Sequence, residues 1–175
     1  PDGNGFGLKR ALADRHDVDL KQITLGNGSN DVLELIARAF LAPGRGAVFS
    51  EHAFAVYPIV TRAIGATARV APARDYGHDL DAMRAAIDDS TRVVFIANPN
   101  NPTGTWLRGG ELEAFLESVP PDVIVVLDEA YVEYVREPDY ADSIPWLDRW
   151  PNLIITRTFS KAYGLAGLRV GYALS

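Results

Sequence analysis

Two segments of the chain, 93–96 and 123–127, consist of apolar residues without a break. A strand with one face in water alternates apolar and polar side chains, so unbroken apolar runs indicate strands covered on both faces, as in a parallel sheet. Amphipathic helical patterns lie between these and the other strand candidates; Leu33, Ile36 and Phe40 form one such apolar stripe. This alternation predicts an α/β fold with three layers, in which helices cover both faces of a mostly parallel sheet.

Strands and helices are predicted along the whole length of the 175 residues. The strands are expected at 22–25, 47–50, 68–71, 93–97, 123–127, 153–156 and 169–173, and the helices at 7–15, 31–41, 57–64, 80–87 and 111–119. Since no internal repeat or long linker interrupts them, residues 1–175 are expected to form one domain. The chain opens at Pro1 and stops at Ser175, directly after a predicted strand. We therefore expect it to be a piece of a longer protein.

Composition and charge disfavour several classes of function. The chain carries 17 Lys and Arg against 23 Asp and Glu, and this net charge of -6 disfavours nucleic-acid binding. It has no cysteine, which excludes disulfides, thiolate zinc sites and a cysteine nucleophile. Its three histidines are far apart in sequence, so no metal site is expected. No apolar run approaches the roughly 20 residues of a membrane span, and a soluble cytoplasmic protein is expected.

In sheets of this kind ligands bind beyond the carboxyl ends of the strands, so the residues that follow each strand are the most informative. The first such segment, 26–31, reads Gly-Asn-Gly-Ser-Asn-Asp. Its glycines allow close backbone approach, Ser29 or Asn30 is expected to cap the next helix, and free N–H groups at the helix start favour an anion such as phosphate. The spelling fits neither a dinucleotide fingerprint nor a P-loop. A capped turn without a ligand is an equal alternative.

Two further segments bring polar groups to strand ends. The segment 98–104 holds two Asn-Pro steps, where either proline could be cis and a rigidly held amide would hydrogen-bond a ligand. Asp128 and Glu129 follow the most apolar strand, where a carboxylate is costly to bury unless a cation or hydrogen-bond donors meet it. A metal, a general base or a protonated ring nitrogen would each explain such a carboxylate. The alternatives without function are a stiff turn in the first segment and solvated carboxylates in the second.

The fourth segment follows the strand at 153–156 and contains Lys161, among small hydroxyl and apolar residues. A partly desolvated lysine has a lowered pKa and can act as a Schiff-base amine. Arg169, eight residues further on, offers a bidentate clamp for phosphate. Taken singly, such residues are usually surface charges. Together the four segments supply a phosphate cradle, an amide donor, a carboxylate for a ring nitrogen and a lysine, which is the set that pyridoxal 5'-phosphate requires.

These motifs carry a family resemblance over essentially the whole chain. Asn-Pro-Thr-Gly at 101–104, Asp-Glu-Ala-Tyr at 128–131, and Ser160-Lys161 with Arg169 resemble the motifs of the fold-type I, class I and II pyridoxal-phosphate-dependent aminotransferases. Within that group, the strings at 1–3, 26–31, 51–57 and 158–169 are similar to those of the histidinol-phosphate aminotransferases. The resemblance implies an aspartate aminotransferase-like fold. It also implies that residues 1–175 are the large cofactor-binding domain, without the C-terminal small domain.

The resemblance also implies roles for individual residues. Lys161, Asp128 and Tyr131 are the candidate catalytic residues: Lys161 would bind the cofactor covalently and shuttle a proton, and Asp128 would pair with the ring nitrogen. Tyr131 and Asn101 would hydrogen-bond the phenolic oxygen, and Phe54 would stack on the ring. The phosphate would be held by Gly28, Ser29, Asn30, Thr158, Ser160 and Arg169. Asn30 stands where many relatives have an acidic residue.

The implied activity is transamination between L-histidinol phosphate and 2-oxoglutarate in histidine biosynthesis, by a homodimeric enzyme. The family's carboxylate-binding arginine and its N-terminal tyrosine have no counterpart in this sequence, so the 175 residues alone are expected to be inactive. The alternatives are an aromatic-amino-acid aminotransferase, a phosphoamino-acid decarboxylase of the same fold, or an aminotransferase-like sensor domain of a transcription regulator.

Overall fold

A seven-stranded sheet with helices on both faces forms the centre of the computed structural model, which describes residues 2–175. Pro1, the first residue of the string 1–3, lies outside the described residues. The helices are α1 (Phe6–His16), α2 (Ser29–Phe40), α3 (Val56–Ala63), α4 (Leu80–Ala85) and α5 (Gly109–Ser118). The strands are β1 (Ile23–Gly26), β2 (Gly46–Ser50), β3 (Thr67–Ala71), β4 (Ala73–Arg74), β5 (Gly77–His78), β6 (Thr91–Ala97), β7 (Ile124–Asp128), β8 (Leu153–Thr158) and β9 (Gly171–Leu174).

The strand order in the sheet is β1-β9-β8-β7-β6-β2-β3, and the predicted mostly parallel sheet is confirmed. Neighbours from β8 through β7, β6 and β2 to β3 pair in parallel. β9 pairs antiparallel with both β8 and β1, so it alone runs against the other six strands of this sheet. A separate hairpin pairs β4 with β5.

The core lies in two layers, one on each face of the sheet. In β6, Val93 and Phe95 belong to the cluster that contains Leu33 of α2 and Tyr57 of α3. The neighbouring Val94 of the same strand belongs to the opposite cluster, which includes residues of α1, α4 and α5. Because successive side chains of a strand point to opposite faces, a run that is apolar at every position fits a sheet covered on both sides. The three-layer architecture is therefore confirmed.

Because β9 is reversed, the whole connection from β8 to β9 stays at the edge of the sheet where the parallel strands end. Gly171, the first residue of β9, pairs with Gly26 at the end of β1 and with Thr158 at the end of β8. The residues that precede β9 therefore lie beside the residues that follow β1 and β8. This geometry places the segment 159–170 at the same edge as the loops after β1, β6 and β7.

The predicted elements are all present, with corrections at their ends. The strand predicted at 169–173 begins only at Gly171, because Arg169 has a left-handed backbone (φ 56°) that a strand cannot contain. β8 continues past 156 to Thr158. The hairpin of β4 and β5 was not predicted, since its strands of two residues each are too short to show a periodicity. Over residues 2–175 the longest helix has 12 residues, and none has the length and apolar character that crossing a membrane requires.

The contact between β9 and α2 predicts a sharp difference between two glycine variants. A Cβ atom at Gly171 would overlap the backbone nitrogen of Ser29, whereas one at Gly167 meets no heavy atom within 4 Å. We expect Gly171→Ala to lower the free energy of unfolding by about 1–3 kcal/mol, because backbone has to move to admit the methyl group. Gly167→Ala is the matched control, with an expected change within about 0.5 kcal/mol. Denaturant titration measures both, and equal stability of the two variants would contradict the packing described.

Candidate active site

A cleft with a volume of about 250 Å³ opens at the edge of the sheet where β1, β6, β7 and β8 end. Ten of the eleven candidate residues line it, and the eleventh, Gly28, lies beside it against Arg169. The ten are Ser29, Asn30, Phe54, Asn101, Asp128, Tyr131, Thr158, Ser160, Lys161 and Arg169. They come from five separate segments of the chain, which the sheet topology brings together.

One end of the cleft is the start of α2. The residue before the helix is Gly28 in a positive-φ conformation (φ 88°), and no side chain caps the helix. The expectation that Ser29 or Asn30 caps it is therefore wrong: both lie inside the first turn. The N–H groups of a helix's first turn have no partners within the helix. Left uncapped at the wall of the cleft, they favour an anion there.

Arg169 completes this positively charged end. Its guanidinium donates hydrogen bonds to the carbonyl oxygens of Ala166 (2.9 Å) and Asn27 (3.3 Å) and to Ser160 Oγ (3.4 Å). These contacts join the segment before β9 to the loop after β1. A Cβ at Gly28 would overlap the guanidinium in this position, and the positive φ of 88° is itself a conformation that favours glycine. The arginine is held at the helix N-terminus, where it adds a full positive charge.

Asp128 lies at the carboxyl end of β7 and is buried, with 4% of its surface exposed. Its Oδ2 accepts a hydrogen bond of 2.9 Å from the phenol of Tyr57, and its Oδ1 accepts one of 2.9 Å from the hydroxyl of Thr156. Burial raises the pKa of Asp128, while the two hydrogen bonds and the charge of Lys161 act to lower it. The prediction of a carboxylate met by donors at the end of a buried strand is thus confirmed. Its interpretation as a solvated group is wrong.

The next residue, Glu129, is buried on the opposite side of the sheet. Its carboxylate accepts hydrogen bonds from Arg157, with Nε 2.9 Å away, and from the hydroxyl of Ser143. Burial raises the pKa of Glu129, and the facing Arg157 lowers it. Glu129 is therefore matched by charge within the protein, and it does not line the cleft. Of the two adjacent carboxylates, Asp128 alone lines the cleft.

Lys161 lies at the mouth of the cleft, with its Nζ 5.2 Å from the centroid of the Tyr131 ring. The expectation that it is partly desolvated is wrong, because Lys161 and all residues up to Arg169 are exposed. The physical reason is that this segment leaves the sheet edge and no other segment among residues 2–175 covers it. Its aromatic neighbour Tyr131 is half-buried and lies on the wall shared with Asn101.

The loop after β6 is held by its own side chains. Both Asn-Pro bonds in the segment 98–104 are cis. The Asn98 amide exchanges hydrogen bonds with the backbone of Leu107, and the Asn100 amide donates to His52 O and Thr103 Oγ1, each at 2.8 Å. Asn101 lies between Asn100 and Thr103, which are joined by one of these hydrogen bonds, and it lines the cleft. The amides that hydrogen bonds hold rigidly in this loop are therefore those of Asn98 and Asn100, whereas Asn101 is the asparagine that lines the cleft.

A larger cavity of about 500 Å³ adjoins the cleft and shares Pro99, Asn101 and Tyr131 with it. Trp106 and Arg136 line it further out.

Within residues 2–175, no group of three or more His, Cys, Asp or Glu side chains is arranged to hold a metal ion.

Two residues that donate hydrogen bonds to Asp128 were not identified from the sequence. Tyr57 lies in the apolar stripe of α3 and reads as an ordinary core residue there. Thr156 pairs with Asp128 in the register of β7 and β8, and both are polar residues near the ends of apolar strands. Aligning the polar ends of neighbouring strands is a signal that could have found Thr156. No pattern in the sequence links Tyr57 to Asp128, which is 71 residues away.

Known proteins resemble this chain over its whole length. The family model described as aminotransferase class I and II matches residues 7–175. Histidinol-phosphate aminotransferase 2 of Pseudomonas fluorescens strain Pf-5 is 68% identical over all 175 residues, which span 47% of that protein. The enzyme of the same name from Pseudomonas aeruginosa strain PAO1 is 67% identical over the same length. The chain thus spans about half the length of the curated relatives it matches.

A solved structure shares the fold. The crystal structure of histidinol-phosphate aminotransferase from Sinorhizobium meliloti in complex with pyridoxal-5'-phosphate superimposes with a TM-score of 0.94 at 35% identity. The superposition covers 100% of this chain and 48% of that one. Since the family model matches nearly every residue, the chain belongs to the class I and II aminotransferases.

Proposed function

We propose that residues 1–175 are the large, cofactor-binding domain of a pyridoxal-phosphate-dependent aminotransferase that acts on L-histidinol phosphate and 2-oxoglutarate. The observation that carries the proposal is the cleft itself. One end is the uncapped start of a helix with an arginine beside it, and the wall holds a buried carboxylate and a lysine. Each feature suits a different part of one ligand.

The anion-binding end fits the phosphate group of the cofactor. The backbone N–H groups of Ser29 and Asn30 lie in the first turn of α2, where the helix dipole favours negative charge. Arg169 adds a guanidinium, and the hydroxyl groups of Thr158 and Ser160 line the same cleft. The Oγ1 of Thr158 already accepts the N–H of Ser160 at 3.1 Å, so its own proton remains free for a phosphate oxygen. With Gly28, which leaves room for Arg169, these residues would hold the phosphate.

The remaining residues fit the ring. Asp128 would meet a protonated ring nitrogen, since a buried carboxylate with acceptor sites toward the cleft is stabilised by such a cation. Asn101 and Tyr131 lie together on the wall and would donate to the phenolic oxygen. Phe54 is half-buried at the cleft and would lie against the ring face. The side chains present therefore match the chemistry of pyridoxal phosphate at each of its polar groups.

Lys161 would hold the cofactor and move protons. When bound, pyridoxal phosphate supplies an aldehyde that accepts amino groups and a ring that draws electrons from the attached carbon. Lys161 Nζ is the amine that lines the cleft, and as a free amine it can take a proton and return it to a second position. The Tyr131 ring beside it limits where the ammonium can lie. Asp128, at the end of β7, would pair with a positive charge at the ring nitrogen.

The choice of substrate is supported by the relatives named above, of which two histidinol-phosphate aminotransferases are 67–68% identical to this chain. The larger cavity beside Asn101 and Tyr131 offers space for the amino donor next to the cofactor. The homodimer and the cytoplasmic location expected from the sequence stay predictions.

The proposal predicts that Arg169 contributes to the affinity for the phosphate group of the cofactor and not to the affinity for its ring. Arg169→Ala in the complete protein is expected to weaken the affinity for pyridoxal phosphate about 10- to 100-fold, because a charge-assisted contact is lost. The affinity for pyridoxal, which has no phosphate, is expected to stay the same. Fluorescence titration of both ligands measures the two affinities.

The control for this variant is Arg38→Ala, which removes an exposed arginine paired with Glu34 on α2. Arg38→Ala should leave both affinities unchanged. Equal weakening of pyridoxal and pyridoxal phosphate by Arg169→Ala would show that the arginine does not bind the phosphate.

The activity is tested with the complete protein loaded with pyridoxal phosphate. L-Histidinol phosphate is added without an oxo acid, and the absorption spectrum of the cofactor is recorded. We expect rapid conversion from the aldehyde form to the amine form, and far slower conversion with L-phenylalanine. Lys161→Ala is expected to abolish the rapid conversion, because the amine that moves the proton is gone.

Three other results would contradict the proposal in different ways. Conversion by phenylalanine but not by histidinol phosphate would identify an aromatic-amino-acid aminotransferase. Release of carbon dioxide from a phosphoamino acid without formation of the amine form would identify a decarboxylase. A bound cofactor that no amino donor converts would favour the sensor domain.

A further inference from the structure

Tyr57 is a buried tyrosine to which the proposed function gives no role. None of its surface is exposed, and its phenol donates a hydrogen bond of 2.9 Å to Asp128 Oδ2. Thr156, on the neighbouring strand, donates one of 2.9 Å to Oδ1. Each oxygen of Asp128 thus accepts one hydrogen bond from the protein. Since an ionised carboxylate has about four acceptor sites, Asp128 keeps sites for a ligand in the cleft that it lines.

The Tyr57 ring is fixed by its neighbours. Phe95 stacks on it, with centroids 4.8 Å apart and planes at 6°. Phe54 meets it edge-on, with centroids 5.8 Å apart and planes at 90°. The phenol is therefore held in one orientation, and Tyr57 connects the two groups proposed to touch the cofactor ring, Phe54 and Asp128.

The hydrogen bond from Tyr57 to Asp128 affects the balance between the ionised and the neutral form of the Asp128 carboxyl group. Burial favours the neutral carboxylic acid and raises the pKa of Asp128, whereas the hydrogen bonds from Tyr57 and Thr156 and the charge of Lys161 lower it. The pKa of Tyr57 is itself well above its ordinary value, because the phenol is buried beside Asp128. Tyr57 therefore keeps its proton and remains a donor. A neutral Asp128 would lose its attraction for a protonated ring nitrogen.

We propose that Tyr57 is a positioning residue, whose phenol, together with the Thr156 hydroxyl, keeps the Asp128 carboxylate ionised and directed at the ring nitrogen of the cofactor. The inference rests on the proposed function. It assigns Tyr57 an effect on the ring nitrogen alone, which distinguishes it from a tyrosine that only fills the core.

The test uses two cofactors that differ at one atom: pyridoxal phosphate and 1-deazapyridoxal phosphate, which has carbon in place of the ring nitrogen. Tyr57→Phe in the complete protein keeps the aromatic ring and removes the donor. We expect it to weaken the affinity for pyridoxal phosphate about ten-fold or more and to leave the affinity for the deaza compound within about two-fold. Thr156→Val removes the other donor at similar volume and should act in the same direction.

The pH dependence gives a second readout. Loss of the Tyr57 donor raises the pKa of Asp128. The pH below which pyridoxal phosphate binds weakly should therefore be higher in Tyr57→Phe than in the wild type. One lost charge-assisted hydrogen bond corresponds to an increase of about one pH unit. The matched control is Thr61→Val, which removes a buried hydroxyl that donates to the carbonyl oxygen of Tyr57 at 2.7 Å. This control should alter neither cofactor affinity nor its pH limit.

Equal weakening of both cofactors by Tyr57→Phe, or no change in either, would overturn the inference and leave the proposed function intact. If Tyr57→Phe fails to fold, Thr156→Val decides by the same ratio of affinities. A wild-type protein that binds neither cofactor would instead refute the proposed function itself, and with it this inference.

Discussion

The buried carboxylate of Asp128 is the constraint around which the site is organised. An ionised group at the end of a covered strand is costly unless donors and a cation surround it. The protein supplies two donors, from a helix on one face of the sheet and from the neighbouring strand. It leaves the remaining direction open to the cleft. The carboxylate is thus incompletely compensated within the chain, and a ligand with a positively charged ring nitrogen would complete it.

The sheet topology determines what else lies near that carboxylate. Parallel strands end at one edge, so the loops after β1, β6, β7 and β8 meet there. Because β9 is reversed, the residues directly before it, including Arg169, also lie at this edge and not at the opposite one. The positively charged end of the cleft therefore depends on one antiparallel strand in a mostly parallel sheet. Gly171, at the start of that strand, leaves room for the backbone of Ser29.

Much of this arrangement could be predicted from the sequence. Apolar runs such as 123–127 identify covered strands, and the ends of covered parallel strands identify the residues that meet. What could not be predicted depends on contacts between distant segments. The left-handed turn at Arg169 occurs at a residue other than glycine and has no local pattern. The exposure of Lys161 depends on what covers its segment, and the bond from Tyr57 to Asp128 joins a helix stripe to a strand end.

The most direct test of the account is the identity of the residue that holds the cofactor. The complete protein, loaded with pyridoxal phosphate, is reduced with borohydride, digested and mapped by mass spectrometry. This chain contains three lysines, Lys9, Lys21 and Lys161, of which Lys161 lines the cleft. We predict that the phosphopyridoxyl group is found on Lys161. A label on Lys9, on Lys21 or on a lysine outside residues 1–175, or no label at all, would contradict the assignment of this cleft as the cofactor site.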